Sequence, residues 1–168
     1  ALRAEGAAVV GLDLTAPPPS PGYLGLAGDV PDAEALRDAI AQTVRRFGGL
    51  DIVVSNVGAF HSGVPVEELD DASWRWVMDL NAGSHLALLR ETAPLLKLSP
   101  AGTGRGSVVL IGSKNVPAPG PGAAAYSASK AALTQLGRVA ALEMAQYGIR
   151  VNILHPDAVF DTGAWTPE

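Results

Sequence analysis

A tyrosine and a lysine four residues apart are the clearest candidates for chemistry in this chain. Tyr126 and Lys130 lie in the alanine-rich stretch 122–148, which predicts one long helix. Side chains four apart share a helix face, so the ammonium of Lys130 can lie beside the phenol of Tyr126. A phenol loses its proton only near pH ~10, and a neighbouring positive charge favours the phenolate. The pair indicates a tyrosine that exchanges protons near neutral pH, unless the two residues are simply a solvated pair.

The elements that must position this pair follow from the hydrophobic pattern. Short apolar runs alternate with longer stretches of helical periodicity, and this alternation predicts a parallel α/β sheet with right-handed crossovers. In such sheets, ligands bind outside the carboxyl ends of the strands. The predicted strands lie within 7–14, 23–28, 50–55, 107–111 and 149–154, and the predicted helices within 31–47, 71–98 and 122–148.

Polar residues follow the predicted strand ends, so we expect them along one rim of the sheet. Each also has a plainer interpretation: the acids could form turns, the serine could cap a turn, and the histidine could be a core residue or a substrate contact. Asn81, in the middle of a predicted helix, could be a satisfied buried amide. The strand-end residues are Asp13, Asp29, Asn56, Ser113 and His155.

Composition excludes several classes of function. With 168 residues, 17 acidic and 12 basic side chains and a net charge of −5, the chain is one ordinary domain without a nucleic-acid surface. It has no cysteine, which removes disulfides and thiolate zinc sites and makes a cytoplasmic location the default. No apolar run reaches the ~20 residues that span a bilayer. The three histidines show no ligand spacing, so we expect no metal site.

Five motifs in order resemble the short-chain dehydrogenase/reductase family. The 126–130 segment YSASK is similar to the YxxxK motif, and Ser113 lies at the expected distance ahead of it. Asn81 lies in the helix where the family keeps its active-site asparagine. The segments 55–58 (SNVG) and 28–30 (GDV) resemble the NNAG motif and the adenine-binding segment. The resemblance implies a Rossmann-like, doubly wound sheet and hydride transfer involving a nicotinamide cofactor.

The resemblance also implies a role for each residue. Tyr126 would exchange a proton with the substrate oxygen, Ser113 would stabilise that oxygen, and Lys130 would lower the tyrosine pKa and hold the nicotinamide ribose. Asn81 would position a water molecule. Asp13 would accept hydrogen bonds from the adenosine ribose and repel a 2′-phosphate, which favours NAD over NADP. The further residues implied at the cofactor are Asp29, Val30, Asn56, Gly58 and Thr162, and those at a small-molecule substrate are Lys114 and His155.

Two departures from the family pattern affect these expectations. The first strand and the glycine-rich loop of the family have no counterpart, and in the order 3-2-1-4-5-6 that strand lies between those ending at Asp13 and Ser55. We therefore expect residues 1–168 to form a single partial dehydrogenase domain, incomplete at both ends. A homodimer or homotetramer is also expected from the family's helices. The alternative is a non-catalytic fragment that retains only the oligomerisation surface.

The second departure is the segment 155–160, HPDAVF, which replaces the usual Pro-Gly pair. With 162–165 (TGAW) and 113–115 (SKN), it resembles the dehydrogenase domain of bifunctional rhamnulose-1-phosphate aldolase/alcohol dehydrogenases. That subgroup implies an aldolase domain in the full-length polypeptide and a small hydroxyaldehyde or alcohol substrate, such as lactaldehyde. This substrate rests on analogy and not on site chemistry.

Overall fold

The computed structural model describes residues 2–18, 20–98 and 106–157. Helices and strands alternate along the chain, as the hydrophobic pattern predicts. None of the described helices combines the length and the apolar character needed to cross a membrane. The strands are β1 (Val9–Asp13), β2 (Tyr23–Ala27), β3 (Ile52–Ser55), β4 (Ser107–Ile111) and β5 (Arg150–Leu154), and the α-helices are α1 (Ala33–Phe47), α2 (Asp71–Met78), α3 (Ser84–Leu96) and α4 (Ala124–Ala145).

Every strand pair is parallel, which confirms the predicted Rossmann-like α/β class. The strands form two separate groups: β1 pairs with β2, and β4 lies between β3 and β5. Because the paired strands run parallel, no hairpin joins them in the part of the chain that the structure describes.

A wide slot separates the two groups of strands. Among the described residues, no strand pairing joins β1 to β3, and a cavity of about 1030 Å³ lies between them. Successive side chains of β3 point to opposite faces of the sheet: Val53 is 6% exposed, whereas Ile52 and Val54 on the other face are 46% and 48% exposed. The slot lies where the expected doubly wound order places one further strand.

The core lies where α3 and α4 pack against the three-stranded group. Its centre is formed by apolar side chains from both layers, including Leu89, Val108, Leu110 and Leu133. Gly137 lets α4 approach the strands closely, because a Cβ there would lie 2.8 Å from side-chain carbons of Leu110 and Ile153. The helix that carries Tyr126 and Lys130 is therefore held rigidly over β4 and β5.

The predicted helix over 71–98 is wrong as one continuous α-helix. A π-helical turn, Asp79–Gly83, separates α2 from α3, and the amide of Ser84 donates to the carbonyl of Asp79, five residues earlier. Asn81 lies in this turn. Such turns occur frequently at functional sites and carry no local sequence signal that periodicity detects.

Candidate active site

The Tyr126/Lys130 pair lies in the first two turns of α4, with Lys130 buried at 4% exposure. The Lys130 Nζ donates a hydrogen bond of 2.9 Å to the carbonyl of Ile111, the last residue of β4, and lies 6.0 Å from the centroid of the Tyr126 ring. Burial lowers the pKa of Lys130 to about 8. The expected placement on one helix face is confirmed, and the lysine can change its charge near neutral pH.

Phe60 supplies one wall beside the tyrosine. Its ring meets that of Tyr126 edge to face, with centroids 4.8 Å apart at 86°. Phe60 itself is 57% exposed, so it adds apolar surface next to the phenol without enclosing it. The hydrophobic pattern did not single out this residue, because one phenylalanine in a loop carries no periodic signal.

Asn81 is completely buried and connects the loop after β3 to α4. Its Oδ1 accepts from the amide of Ala59 at 2.8 Å, and its Nδ2 donates to the carbonyl of Ala59 at 2.9 Å and to the Ser129 hydroxyl at 3.1 Å. The side chain of Asn81 is therefore a buried amide with hydrogen-bond partners for both its oxygen and its nitrogen, which is one of the two interpretations that the sequence allowed. That Asn81 positions a water molecule stays a prediction.

Ser113 follows the end of β4 and is held from two sides. Its Oγ accepts from the backbone amide of Asn115 at 3.1 Å, and its backbone carbonyl lies 2.9 Å from Nδ1 of His155. Gly112 makes this packing possible, because a Cβ there would lie 2.7 Å from the same ring nitrogen. His155 is exposed and so is not a core residue. It holds the backbone of Ser113, while its contact with a substrate stays a prediction.

Lys114, the other predicted substrate contact, is tied to the segment after β5. Its ammonium forms an ion pair with Asp157, and its backbone amide donates to the carbonyl of Pro156 at 3.0 Å. Both side chains of the ion pair are largely exposed, so the pair is weak and can open. The loop that carries Ser113 is thus joined to residues 155–157.

The predicted cofactor residues gather around the slot. Gly58 connects this group to the Tyr126/Lys130 pair, because a Cβ on Gly58 would lie 3.0 Å from Asn81 Oδ1 and 3.3 Å from Lys130 Nζ. Thr162 lies outside the described residues. The predicted residues that line the slot cavity are Asp13, Asp29, Val30, Asn56 and Gly58.

These residues fit the ribose portions of a dinucleotide. The carboxylate of Asp13 ends β1 at the cavity wall, where it can accept hydrogen bonds from hydroxyl groups. At the other side, the absence of a side chain on Gly58 lets its backbone lie close to the Lys130 ammonium. A metal is not needed for such binding, and the described residues contain no cluster of three histidine, aspartate or glutamate side chains that could hold one.

His85 was missed by the sequence analysis. It lies on the first turn of α3, fully buried, four residues after Asn81. Burial, and secondarily the charge of Lys130, lowers its pKa to about 4. The four-residue spacing from Asn81 was the available signal, but its partners are about 30 positions away in the sequence and become visible only in the fold.

A parallel α/β sheet, with a tyrosine and a buried lysine on one helix near the carboxyl ends of its strands, is the arrangement of an oxidoreductase-type nucleotide-binding domain. Residues 4–167 match the family model described as short chain dehydrogenase. The chain belongs to the short chain dehydrogenase family.

Individual relatives agree with this assignment. An uncharacterised NAD-dependent oxidoreductase of Mycobacterium tuberculosis is 36% identical over 99% of this chain, which spans 67% of that protein. The uncharacterised oxidoreductase YuxG of Bacillus subtilis is 37% identical over 81% of this chain, and the match spans 19% of YuxG. The crystal structure of a short-chain dehydrogenase from Streptomyces avermitilis is 30% identical, with a TM-score of 0.79, covering 94% of this chain and 60% of that one.

Proposed function

We propose that this domain transfers a hydride between NAD(H) and a small alcohol or hydroxyaldehyde. The observation that carries the proposal is the buried Lys130 on one helix face with Tyr126, joined to the ends of β3 and β4 by Asn81 and by the Ile111 carbonyl. The M. tuberculosis relative is named an NAD-dependent oxidoreductase, which supports the choice of cofactor.

Two hydroxyl groups act on the substrate oxygen. Tyr126 takes the proton from the substrate hydroxyl in the oxidising direction and returns it in the reducing direction. Ser113 Oγ accepts from the amide of Asn115, which leaves its own hydrogen to donate to the same substrate oxygen. The bound nicotinamide supplies the hydride acceptor or donor.

Lys130 supports the tyrosine and the cofactor. Its ammonium lies 6.0 Å from the centroid of the Tyr126 ring, and its position next to Gly58 would place it beside the nicotinamide ribose. Asn81 holds Ala59 and Ser129 in place, and a water molecule near its backbone would connect Lys130 to solvent. Since the pKa of Lys130 is lowered to about 8, this lysine can pass a proton at neutral pH.

Asp13 sets the preference for NAD. Its carboxylate lines the cavity at the end of β1, where it can accept hydrogen bonds from the adenosine ribose and would repel a 2′-phosphate. Asp29, Val30 and Asn56 line the same cavity. In the proposal they contact the adenine and the neighbouring ribose.

Replacing Tyr126 with phenylalanine tests the reaction directly. In the full-length enzyme, we expect Tyr126→Phe to lower kcat by at least ~100-fold, the usual contribution of a general acid/base, with little change in NAD affinity. Tyr147→Phe, at the end of α4, is the matched control and should keep near-normal activity. A Tyr126→Phe enzyme within threefold of the wild-type kcat would contradict the proposal.

The substrate is proposed to be lactaldehyde or a similar short hydroxyaldehyde, with an aldolase domain in the same polypeptide. The segment HPDAVF and the length of YuxG, of which the match spans 19%, support this. Steady-state assays of the full-length enzyme should give a kcat/KM for lactaldehyde at least tenfold above that for propanol or cyclohexanol. Equal values would contradict the substrate assignment without affecting the reaction class.

A second candidate is a non-catalytic domain that retains only an association surface. The lack of pairing between β1 and β3 among the described residues favours this candidate. Calorimetric titration of the 168-residue chain with NAD separates the two candidates: micromolar affinity would contradict the second, and no detectable binding would support it.

A homodimer or homotetramer, in the cytoplasm, completes the proposal. Apolar side chains are exposed on the helices around the site, among them Trp74, Leu86 and Leu142. Light scattering should give twice or four times the monomer mass, and Leu142→Glu should shift the distribution toward the monomer. A strictly monomeric wild-type protein would contradict the assembly.

A further inference from the structure

His85 uses both ring nitrogens to hold the loop after β3. Its Nδ1 lies 2.6 Å from the Ser55 hydroxyl, and its Nε2 lies 3.0 Å from the carbonyl of Val57. The ring is 0% exposed, so water does not compete for either contact. One side chain of α3 thus fixes the last residue of β3 and the second residue beyond it.

The partners define the state of the ring. A carbonyl oxygen only accepts hydrogen bonds, so Nε2 must carry the hydrogen that is donated to Val57. In the neutral ring, Nδ1 then has its lone pair available, and the Ser55 hydroxyl donates to it. Burial and the ammonium of Lys130, the charged group that acts on this ring, both oppose a second proton. The geometry therefore requires the neutral tautomer with hydrogen on Nε2.

The same loop is held at its other end by Asn81. Both amide atoms of Asn81 bind the backbone of Ala59, at 2.8 and 2.9 Å. Residues 55–59, which we call the β3 loop, are thus fixed before and after Gly58. The backbone of Gly58 faces Lys130 Nζ. A Cβ on this residue would lie only 3.3 Å from that nitrogen.

We propose that His85 is a positioning residue that keeps the β3 loop against Lys130. It would thereby hold Gly58 and the lysine ammonium in the relative position that binds the nicotinamide ribose. The inference rests on the proposed function for the identity of the ligand. The positioning itself concerns only side chains and backbone of this chain, and it can be measured without any ligand.

The first test is the tautomer. In ¹⁵N-labelled protein, ring correlations of the three histidines should show one ring that is neutral, with hydrogen on Nε2, from pH 5 to 8. The spectrum of His85→Phe identifies it by its loss. A His85 ring that titrates near pH ~6.5, or that carries its hydrogen on Nδ1, would overturn the proposal.

The second test measures the effect on Lys130. The chain contains only three lysines, so ¹³C-lysine labelling gives three Cε signals to titrate. In His85→Phe the released β3 loop lets water reach Nζ, and we expect the Lys130 midpoint to rise from about 8 by at least ~0.5 pH unit. His85→Gln can donate to Val57 and accept from Ser55, so it should restore the wild-type midpoint.

His61→Phe is the matched control, because His61 contacts Trp76 and not the β3 loop. It should leave the Lys130 midpoint unchanged. An unchanged midpoint in His85→Phe would overturn the proposal, and so would a midpoint in His85→Gln raised as far as in His85→Phe. If His85→Phe does not fold, the wild-type tautomer and the His85→Gln midpoint decide. None of these measurements involves NAD or substrate, so failure of the proposed function would leave their results unchanged.

The consequence for the cofactor is tested in the full-length enzyme. We expect His85→Phe to raise the KM for NAD at least tenfold while kcat falls less than threefold, because Tyr126 and Ser113 keep their positions. His85→Gln should recover most of the affinity. A loss confined to kcat would show that His85 does not act through the ribose side of the site and would contradict the proposal.

Discussion

Gly58 is the residue at which the slot cavity and the Tyr126/Lys130 pair meet. In Gly58→Ala, the added Cβ would lie 3.0 Å from Asn81 Oδ1 and 3.3 Å from Lys130 Nζ, so the β3 loop must shift. We expect this variant to raise the KM for NAD in the full-length enzyme about tenfold or more. Thermal unfolding should show a loss of stability of about 1–3 kcal/mol, as is usual for overpacking.

Gly49→Ala is the control for Gly58→Ala. A Cβ at Gly49 would meet no atom within 4 Å, and the glycine has no positive φ. It should therefore keep wild-type affinity and stability. Equal behaviour of the two variants in both measurements would show that the close approach at Gly58 has no functional effect.

His85 also makes stability depend on pH in a defined window. Its pKa is about 4 when folded and ordinarily 6.5, so between these values the unfolded chain binds more protons and the folded state loses stability as pH falls. The loss is on the order of 3 kcal/mol across the window. Urea unfolding at pH 4.5 and 7 should show a smaller pH dependence for His85→Gln than for wild type. The same change in unfolding free energy between the two pH values in His85→Gln and in wild type would contradict a buried neutral histidine.

For single residues, the sequence predicts contacts between near neighbours in a helix better than contacts between distant residues. The spacing of Tyr126 and Lys130 predicts their common helix face because a helix repeats locally. The partners of Asn81 and His85 cannot be predicted in this way, since Ala59, Ser129, Ser55 and Val57 are 22–48 positions distant in the sequence. A buried histidine or asparagine is defined by such partners and not by its neighbours in the chain.

Among the elements, α4 depends on its closest contact with the strands. Val at position 137 would force the side chains of Leu110 and Ile153 apart, since even a Cβ lies 2.8 Å from each of them. We expect Gly137→Val to lower the free energy of unfolding by about 1–3 kcal/mol despite the weak helix propensity of glycine. Ala131→Val, at an exposed position of α4, should lower the free energy of unfolding by only a few tenths of a kcal/mol. A neutral Gly137→Val would contradict the tight packing.

Periodicity predicts the five strands and the long helices to within two or three residues, because burial on one or both faces leaves a repeating pattern. The π turn at Asp79–Gly83 escaped prediction. A π turn inserts one extra residue into a helix, and the apolar positions on either side still read as one amphipathic stretch. Its placement of Asn81 is therefore a property of the fold.

For the whole molecule, the unequal cover on the two faces of β3 makes neighbouring residues of this strand differ in their effect on stability. Val53→Thr places a hydroxyl in the core and should cost about 1–3 kcal/mol, whereas Val54→Thr, at 48% exposure on the other face of β3, should cost much less. Urea unfolding of the two variants checks this difference. Equal losses would show that the face of β3 that carries Val54 is covered in solution.

The position of the slot follows from the family's strand order, which the sequence motifs were sufficient to predict. What they do not determine is whether β1 and β3 pair. In the described residues, β1 and β3 do not pair. The contacts of α1 and α3 maintain the spacing, and such helix contacts are not encoded in either strand.

The separation of the two groups of strands divides the backbone into two hydrogen-exchange units. β4 is bonded on both sides and carries the fully buried Val108 and Leu110, so its amides should exchange only on global unfolding. β1 and β2 bond only to each other among the described strands, and can open while the larger group stays intact. Amide exchange should therefore give two protection levels, the lower in β1 and β2. A partner that fills the slot would merge them into one.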